Sequence, residues 1–212
     1  MSSRIALALC CLALATPVAL NAAATSFTPP PGPMATPEQL KALLATVPAP
    51  AAGEVVVTFE DEKADIGAPI EKWEEKGVTF ALAGPLQRTP KGKPQVMFFP
   101  HLETMRKGIL NAMPTDQGVP LKMTLPGAGA SSVTLVLWGS TSVPVVVEAF
   151  DKDGQSVDKK TLDAAPSRKA PNEPVPFFTL TVKGTAIAYV QLSGPRSGEF
   201  LAADEVRFLP VK

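Results

Sequence analysis

This 212-residue chain has two cysteines, one histidine, one tyrosine and two tryptophans. Each scarcity removes a class of chemistry. Both cysteines, Cys10 and Cys11, lie in an apolar N-terminal stretch that reads as a cleavable signal. Past that stretch there is no disulfide, thiol nucleophile or thiolate metal ligand. With His101 as the only histidine, a zinc site built from several imidazoles is excluded. A Ser-His-Asp triad would have to use His101, and no Gly-x-Ser-x-Gly elbow accompanies it. Charge of one sign is missing too, since 20 Lys and Arg balance 20 Asp and Glu. A chain so neutral lacks the basic excess that phosphate backbones demand, which argues against a nucleic-acid partner. No apolar run reaches the ~20 residues of a membrane-spanning helix.

What is present at the N-terminus is a short positive region at Arg4, an apolar run from Ile5 to Ala15, and the small residues Ala22-Ala23-Ala24. This is the layout of a Sec-type signal peptide over residues 1–24. Leu9 stands where a lipoprotein signal wants a small residue before Cys10, so a lipid anchor is not expected. The protein is therefore read as exported, to a periplasm or the cell exterior. The lack of any mature disulfide favours a bacterial source.

Residues 25–53 are rich in Pro, Ala and Thr and include Pro29-Pro30-Pro31, a tether composition. One helix is expected inside it, from Thr36 to Thr46. Thr36 is a cap, Pro37 suits the first turn and Gln39 completes a capping box. Leu40, Leu43 and Leu44 give this helix one apolar stripe, which could dock a partner protein.

From Glu54 onward short strands alternate with Gly and Pro. The expected strands are 54–60, 78–82, 95–99, 121–125, 133–138, 145–150, 177–183, 186–192 and 203–208. Asp153-Gly154 and Lys183-Gly184-Thr185 read as tight connections. The stretch Leu102 to Ala112 carries a helical period, and the Lys159, Lys160, Arg168, Lys169 cluster reads as a solvated loop. Prolines at strand margins, among them Pro94, Pro120 and Pro144, suit edges and loop entries. The fold class is all-β: one antiparallel β-sandwich of jelly-roll type over residues 54–212.

Candidate sites are few. If the first and last strands are neighbours, Glu60 and Asp204 meet at one end. Asp204 shares a strand face with Val206 and Phe208, so it tends toward the core, where a bare carboxylate is costly. Hard oxygen ligands from two strands suit a structural Ca²⁺. The other reading leaves Asp204 capping a loop amide and Glu60 in solvent. Asp151-Lys152-Asp153-Gly154 lacks the acidic twelfth position of a calcium loop and reads as a hairpin turn. Trp73 either stacks on a sugar ring or lids the end of the sandwich, Trp138 reads as core, and Tyr189 as exposed. His101 reads as a surface loop residue. Glu103 and Glu148 are the first pair to inspect for a two-carboxylate glycosidase.

The segments Val57-Thr58-Phe59-Glu60, Gly77-Val78-Thr79-Phe80 and Asp204-Glu205-Val206-Arg207-Phe208 together resemble the galactose-binding-like jelly rolls of secreted bacterial proteins. Val145 to Gly154 resembles a strand-and-turn pair of the same domains. The resemblance covers roughly residues 54–209. It implies a carbohydrate-binding-module-like domain, with a structural Ca²⁺ held by Glu60 and Asp204 between the first and last strands. The function expected is non-catalytic binding of a glycan or another envelope component, with Trp73 and Tyr189 as ligand-binding residues. The alternative is an assembly protein docking through Leu40, Leu43 and Leu44. A sandwich-fold lyase or hydrolase is a third reading.

Overall fold

The computed structural model describes residues 35–61, 63–84, 93–112, 118–168, 170, 173–196 and 199–212. The signal-peptide reading and the Pro29–Pro31 run lie outside them. Among the described residues, strands form two six-stranded antiparallel sheets packed as a sandwich, preceded by one short helix.

The helix, α1 (Pro37–Ala45), has the expected start. The Thr36 hydroxyl accepts from the Gln39 amide, and the Gln39 side chain accepts from the Thr36 amide. Its stripe is largely used within the molecule. Leu43 is buried, Leu40 is half-buried and Leu44 is exposed at 42%.

The first sheet holds β4 (Val96–Pro100), β5 (Lys107–Asn111), β7 (Ala130–Ser140), β10 (Phe178–Ile187) and β12 (Phe200–Pro210), in the order β10-β7-β12-β5-β4. β1 (Val55–Val57) also joins β12. The second sheet runs β2 (Trp73–Glu75), β3 (Val78–Leu82), β6 (Leu121–Thr124), β11 (Tyr189–Ser193), β8 (Val145–Phe150), β9 (Ser156–Leu162). Between the sheets lies the main core, including Phe59, Phe80, Phe98, Met123, Leu135, Val147, Val190 and Phe208.

The first and last strands do meet. β1 pairs antiparallel with β12, with Val55 opposite Phe208 and Val57 opposite Val206. β12 is the spine of its sheet: β7 runs along one edge, while the other is shared between β5 at Ala203 and β1 at 206–208. At that fork there is a bulge. Ala203 lies opposite Leu137 and Glu205 opposite Val136, so Asp204 is an extra residue. The bulge resets the alternation: Leu201 and Ala203 face the main core before it, Val206 and Phe208 after it.

Several expectations need correction. Leu102 to Ala112 is not helical; it is a turn followed by β5. Trp73 lies in a strand, and Lys159 and Lys160 lie in the edge strand β9 rather than in a loop. Lys183-Gly184-Thr185 is inside β10, at a register irregularity between Lys183 and Ile187, rather than a turn. The predicted strand 186–192 is a corner: Ile187 ends β10 in one sheet and Tyr189 begins β11 in the other. β1 stops before Glu60, because Phe59 adopts φ of 58° to drive its ring between Phe80 and Phe98.

Gly129 closes the turn before β7, with φ of +87°. A Cβ there would lie 2.3 Å from the Ile187 carbonyl oxygen, a main-chain atom that cannot swing aside. Gly129→Ala is expected to destabilise the protein on the order of 3 kcal/mol, read as a lowered denaturant midpoint at unchanged slope.

Candidate functional site

The two outer faces of the sandwich are built differently. That of the β10-β7-β12-β5-β4 sheet is covered by the chain itself. Leu43 and Val47 from α1 and the segment after it, with Val175 and Phe177 from the approach to β10, pack on Val136, Trp138, Leu110 and Ala202. Trp138 packs in this second cluster as a core residue. Its indole lies over bare backbone: a Cβ at Gly108 would be 2.9 Å from Trp138 Nε1.

Beneath that cover runs a buried polar network. His101 is fully buried, not a surface residue, with its ring stacked on Phe177 at 4.5 Å and edge-on to Trp138 at 5.0 Å. Nε2 donates to the Val175 carbonyl at 3.0 Å, and Nδ1 accepts from the Thr104 amide at 3.3 Å. These two backbone partners select the neutral Nε2–H tautomer. Burial holds the imidazole below its usual pKa. Glu103 accepts from the Val175 amide and pairs with Arg168. The side chains of His101 and Glu103 thus hold both polar groups of one peptide residue.

The fork in β12 carries the second half of the network. Because Asp204 occupies a bulge, its side chain and that of Glu205 reach the same guanidinium. Arg106 Nε lies 3.1 Å from Asp204 Oδ2 and donates to Oδ1 at 3.2 Å, while Nη2 donates to Glu205 at 3.0 Å. Arg207 Nε donates to the other Glu205 oxygen at 2.6 Å, and its Nη1 donates to the Pro48 carbonyl at 2.5 Å. Asp204 is wholly buried and its Oδ2 accepts no well-formed hydrogen bond. Burial first, with the Glu205 and Glu60 charges adding to it against Arg106, pushes its carboxyl up to about 7.

The residues do not fit the Ca²⁺ that the resemblance implies. Glu60 is exposed and spends Oε1 on the Lys107 amide at 3.0 Å, and the cation beside Asp204 is Arg106. Among the described residues no group of three or more His, Cys, Asp or Glu is placed to hold a metal. Ca²⁺ wants six to eight oxygens, whereas here Arg106 faces Asp204 and Glu205 is shared between Arg106 and Arg207. Melting curves in excess Ca²⁺ and in chelator are accordingly expected to superimpose; a higher midpoint with Ca²⁺ would restore the site.

Among the described residues nothing covers the outer face of the β2-β3-β6-β11-β8-β9 sheet. Its central rows follow from the strand register. One runs Glu74, Thr79, Thr124, Tyr189, Phe150, Ser156 across the six strands. The next runs Ala81, Lys122, Gln191, Glu148, Lys159. Tyr189 is half-buried between Phe150, stacked at 4.8 Å and 11°, and the Lys122 ammonium, 3.9 Å from its ring centre. The ring is held upright, presenting its edge and its hydroxyl. Glu148 is occupied by Ser156 at 2.8 Å and Lys159 at 3.4 Å. No hydrogen bond or ion pair engages the side chains of Thr79, Thr124, Gln191 or Tyr189 among the described residues, and Lys122 has only its contact with the ring.

Trp73 and Tyr189 do not form a common groove. Trp73 points between the sheets, edge-on to Phe98 at 5.0 Å, and its Nε1 donates to Glu75, so it lids the core. Glu103 and Glu148 lie on opposite outer faces and cannot act as one carboxylate pair. Both Phe150 and Lys122, which complete the setting of Tyr189, were missed in the sequence; period-2 alternation in β6, β8 and β11 is the signal that places all three on one face.

No protein-family model matches the chain, and no curated protein matches it. Among solved structures it is similar to the K1 cleaved adhesin domain of Lys-gingipain from Porphyromonas gingivalis W83. That likeness has 13% identity, covers 75% of this chain and 99% of the other, and gives a TM-score of 0.37. The tandem CBM51 modules of a family 98 glycoside hydrolase from Streptococcus pneumoniae SP3-BS71 give 14% identity over 75% of this chain and 48% of theirs, TM-score 0.35. TmCBM61 in complex with β-1,4-galactotriose gives 14% over 75% and 90%, TM-score 0.30. None of these likenesses bears on the chemistry of either face. No helix among the described residues is long and apolar enough to cross a membrane.

Proposed function

We propose that the protein is an exported, non-catalytic binding module that holds a saccharide on the open outer face of its second sheet. The observation that carries this is the contrast between the faces. One is sealed by α1 and by residues 175–177, with His101, Glu103, Arg106 and Glu205 partnered beneath the cover. The other leaves Thr79, Lys122, Thr124, Tyr189 and Gln191 half-exposed or exposed, with hydrogen-bonding capacity unspent around one aromatic ring. A pyranose is matched to such a surface. Its hydroxyls bond the Gln191 amide, the Tyr189 and Thr124 hydroxyls and the Lys122 ammonium. The six-stranded width suits several residues of an extended chain rather than a single small molecule. Binding without turnover is supported by the opposed positions of Glu103 and Glu148 and by His101 being sealed between two rings.

Retardation of the protein in native gels containing soluble polysaccharides tests this. Tyr189→Ala is expected to weaken the retardation about tenfold, or about 1.4 kcal/mol, while Trp73→Phe leaves it unchanged. Equal binding by wild type and Tyr189→Ala would move the site off this face.

A further inference from the structure

We infer that the open face selects saccharides that carry carboxylate groups, uronate-containing polymers among them, with Lys122 as the residue that reads the charge. This rests on the saccharide-binding reading above and names its ligand class. Lys122 projects from β6 at the middle of the face, with Ala81 and Gln191 as its cross-strand neighbours. No carboxylate pairs with it among the described residues; its ammonium lies instead on the Tyr189 ring.

The charges around it sharpen the argument. Glu148 is separated from Lys122 by Gln191 and is already neutralised by Lys159, so it does not answer Lys122. Glu74 is exposed on β2, in the adjacent row and two strands away across Thr79. Asp151 and Asp153, in the turn beyond Tyr189, are occupied by that turn's own amides and by Lys152. The result, among the described residues, is a cation with no carboxylate partner lying on an aromatic ring, flanked by the free amide of Gln191. A sugar hydrogen-bonded to the Tyr189 hydroxyl and the Gln191 amide brings its substituents within reach of Lys122. A carboxylate there gains a charge-assisted hydrogen bond, where a hydroxymethyl group gains only a neutral one. Tyr189 and Phe150 take water from one side of the contact, which strengthens it relative to an ion pair in open solvent. Lys122 is already held by the ring, so little side-chain freedom is lost on binding.

The test is affinity electrophoresis of the full chain in gels containing polygalacturonate or alginate against neutral galactan or xylan, at fixed ionic strength. Wild type is expected to bind at least one acidic polymer about tenfold more tightly than its neutral counterpart. Lys122→Gln should abolish that preference, bringing acidic and neutral retardation to the same level, whereas Lys122→Arg should keep the preference. Lys152→Gln, which removes an equal charge elsewhere, should behave as wild type. Two results overturn the inference while saccharide binding stands. One is equal retardation by acidic and neutral polymers, lost in both with Tyr189→Ala. The other is an acid preference that survives Lys122→Gln. Retardation by no polymer of either kind overturns both readings.

Discussion

Replacing Arg106 by methionine is expected to cost about 3–5 kcal/mol of stability near pH 8. Methionine keeps the length and apolar stem that lie against Phe177, where the guanidinium carbon is 5.8 Å from the ring centre. What disappears is the cation shared by Asp204 and Glu205. Glu205 retains Arg207 at 2.6 Å, but Asp204 loses its only countercharge while fully buried. The folded Arg106→Met protein must then hold a bare carboxylate or take up a proton that solution at pH 8 supplies reluctantly. The same substitution should therefore cost less at pH 5, where Asp204 is neutral at small expense. Arg106→Met/Asp204→Asn should recover most of the loss at pH 8. Denaturant titrations of the three variants at both pH values read this directly. A loss independent of pH, or no recovery in the double variant, would show that packing against Phe177 rather than charge is what Arg106 supplies.

The second large effect is a stability gained by removing a charge. Asp204 has its carboxyl raised from 3.8 to about 7 in the folded protein. Between those values the folded state holds a proton that the unfolded chain has released. The stability that proton provides is complete below pH 4 and drains away as pH rises toward 7. Asp204→Asn keeps the shape and never ionises. It is expected to match wild type near pH 4 and exceed it above pH 7 by a few kcal/mol, with about 4 as the ceiling set by the shift. His101 works in the opposite direction. Its folded pKa is depressed by burial, so its contribution is present above 6.5 and is lost as pH falls from there through the lower folded pKa. In wild type the two slopes oppose each other below pH 6.5. Asp204→Asn should expose the His101 slope alone, with stability falling on acidification. A flat difference between wild type and Asp204→Asn across pH 4–8 would contradict the raised carboxyl.

Much of this architecture was legible in the sequence where one face of an element is wet and the other dry. Leu121, Met123 and Leu125 alternate with Lys122 and Thr124, and Leu121–Thr124 forms a strand at the expected position. Thr36 and Gln39 announced the helix start because a capping box is a local device. The neighbourly β1–β12 pairing was also readable. The errors have physical causes. Leu102, Met105, Ile109 and Ala112 fall three and four apart, imitating a helix, because the stretch joins a turn to a strand. β9 escaped notice because, as an edge strand, it is largely exposed and shows no apolar rhythm. The side of Asp204 was misjudged by counting back from Phe208 and Val206. One inserted residue reverses that parity, and nothing local distinguishes a bulge from an ordinary strand. His101 is buried by Phe177 and Val175, far along the chain, so no window around it could have shown it. Val133–Trp138, by contrast, was an almost unbroken apolar run. Such runs mark strands buried on both faces, and β7 is one.

The central claim is that the chain closes one outer face and leaves the other for a saccharide. Amide chemical-shift mapping of the full chain tests it most directly, during titration with a mixture of neutral and uronate oligosaccharides. Shifts confined to Lys122, Thr124, Phe150, Tyr189 and Gln191, with His101, Arg106 and Val175 unmoved, are the predicted result. Shifts gathered on His101, Arg106 and Val175, or none anywhere at saturating oligosaccharide, would contradict it.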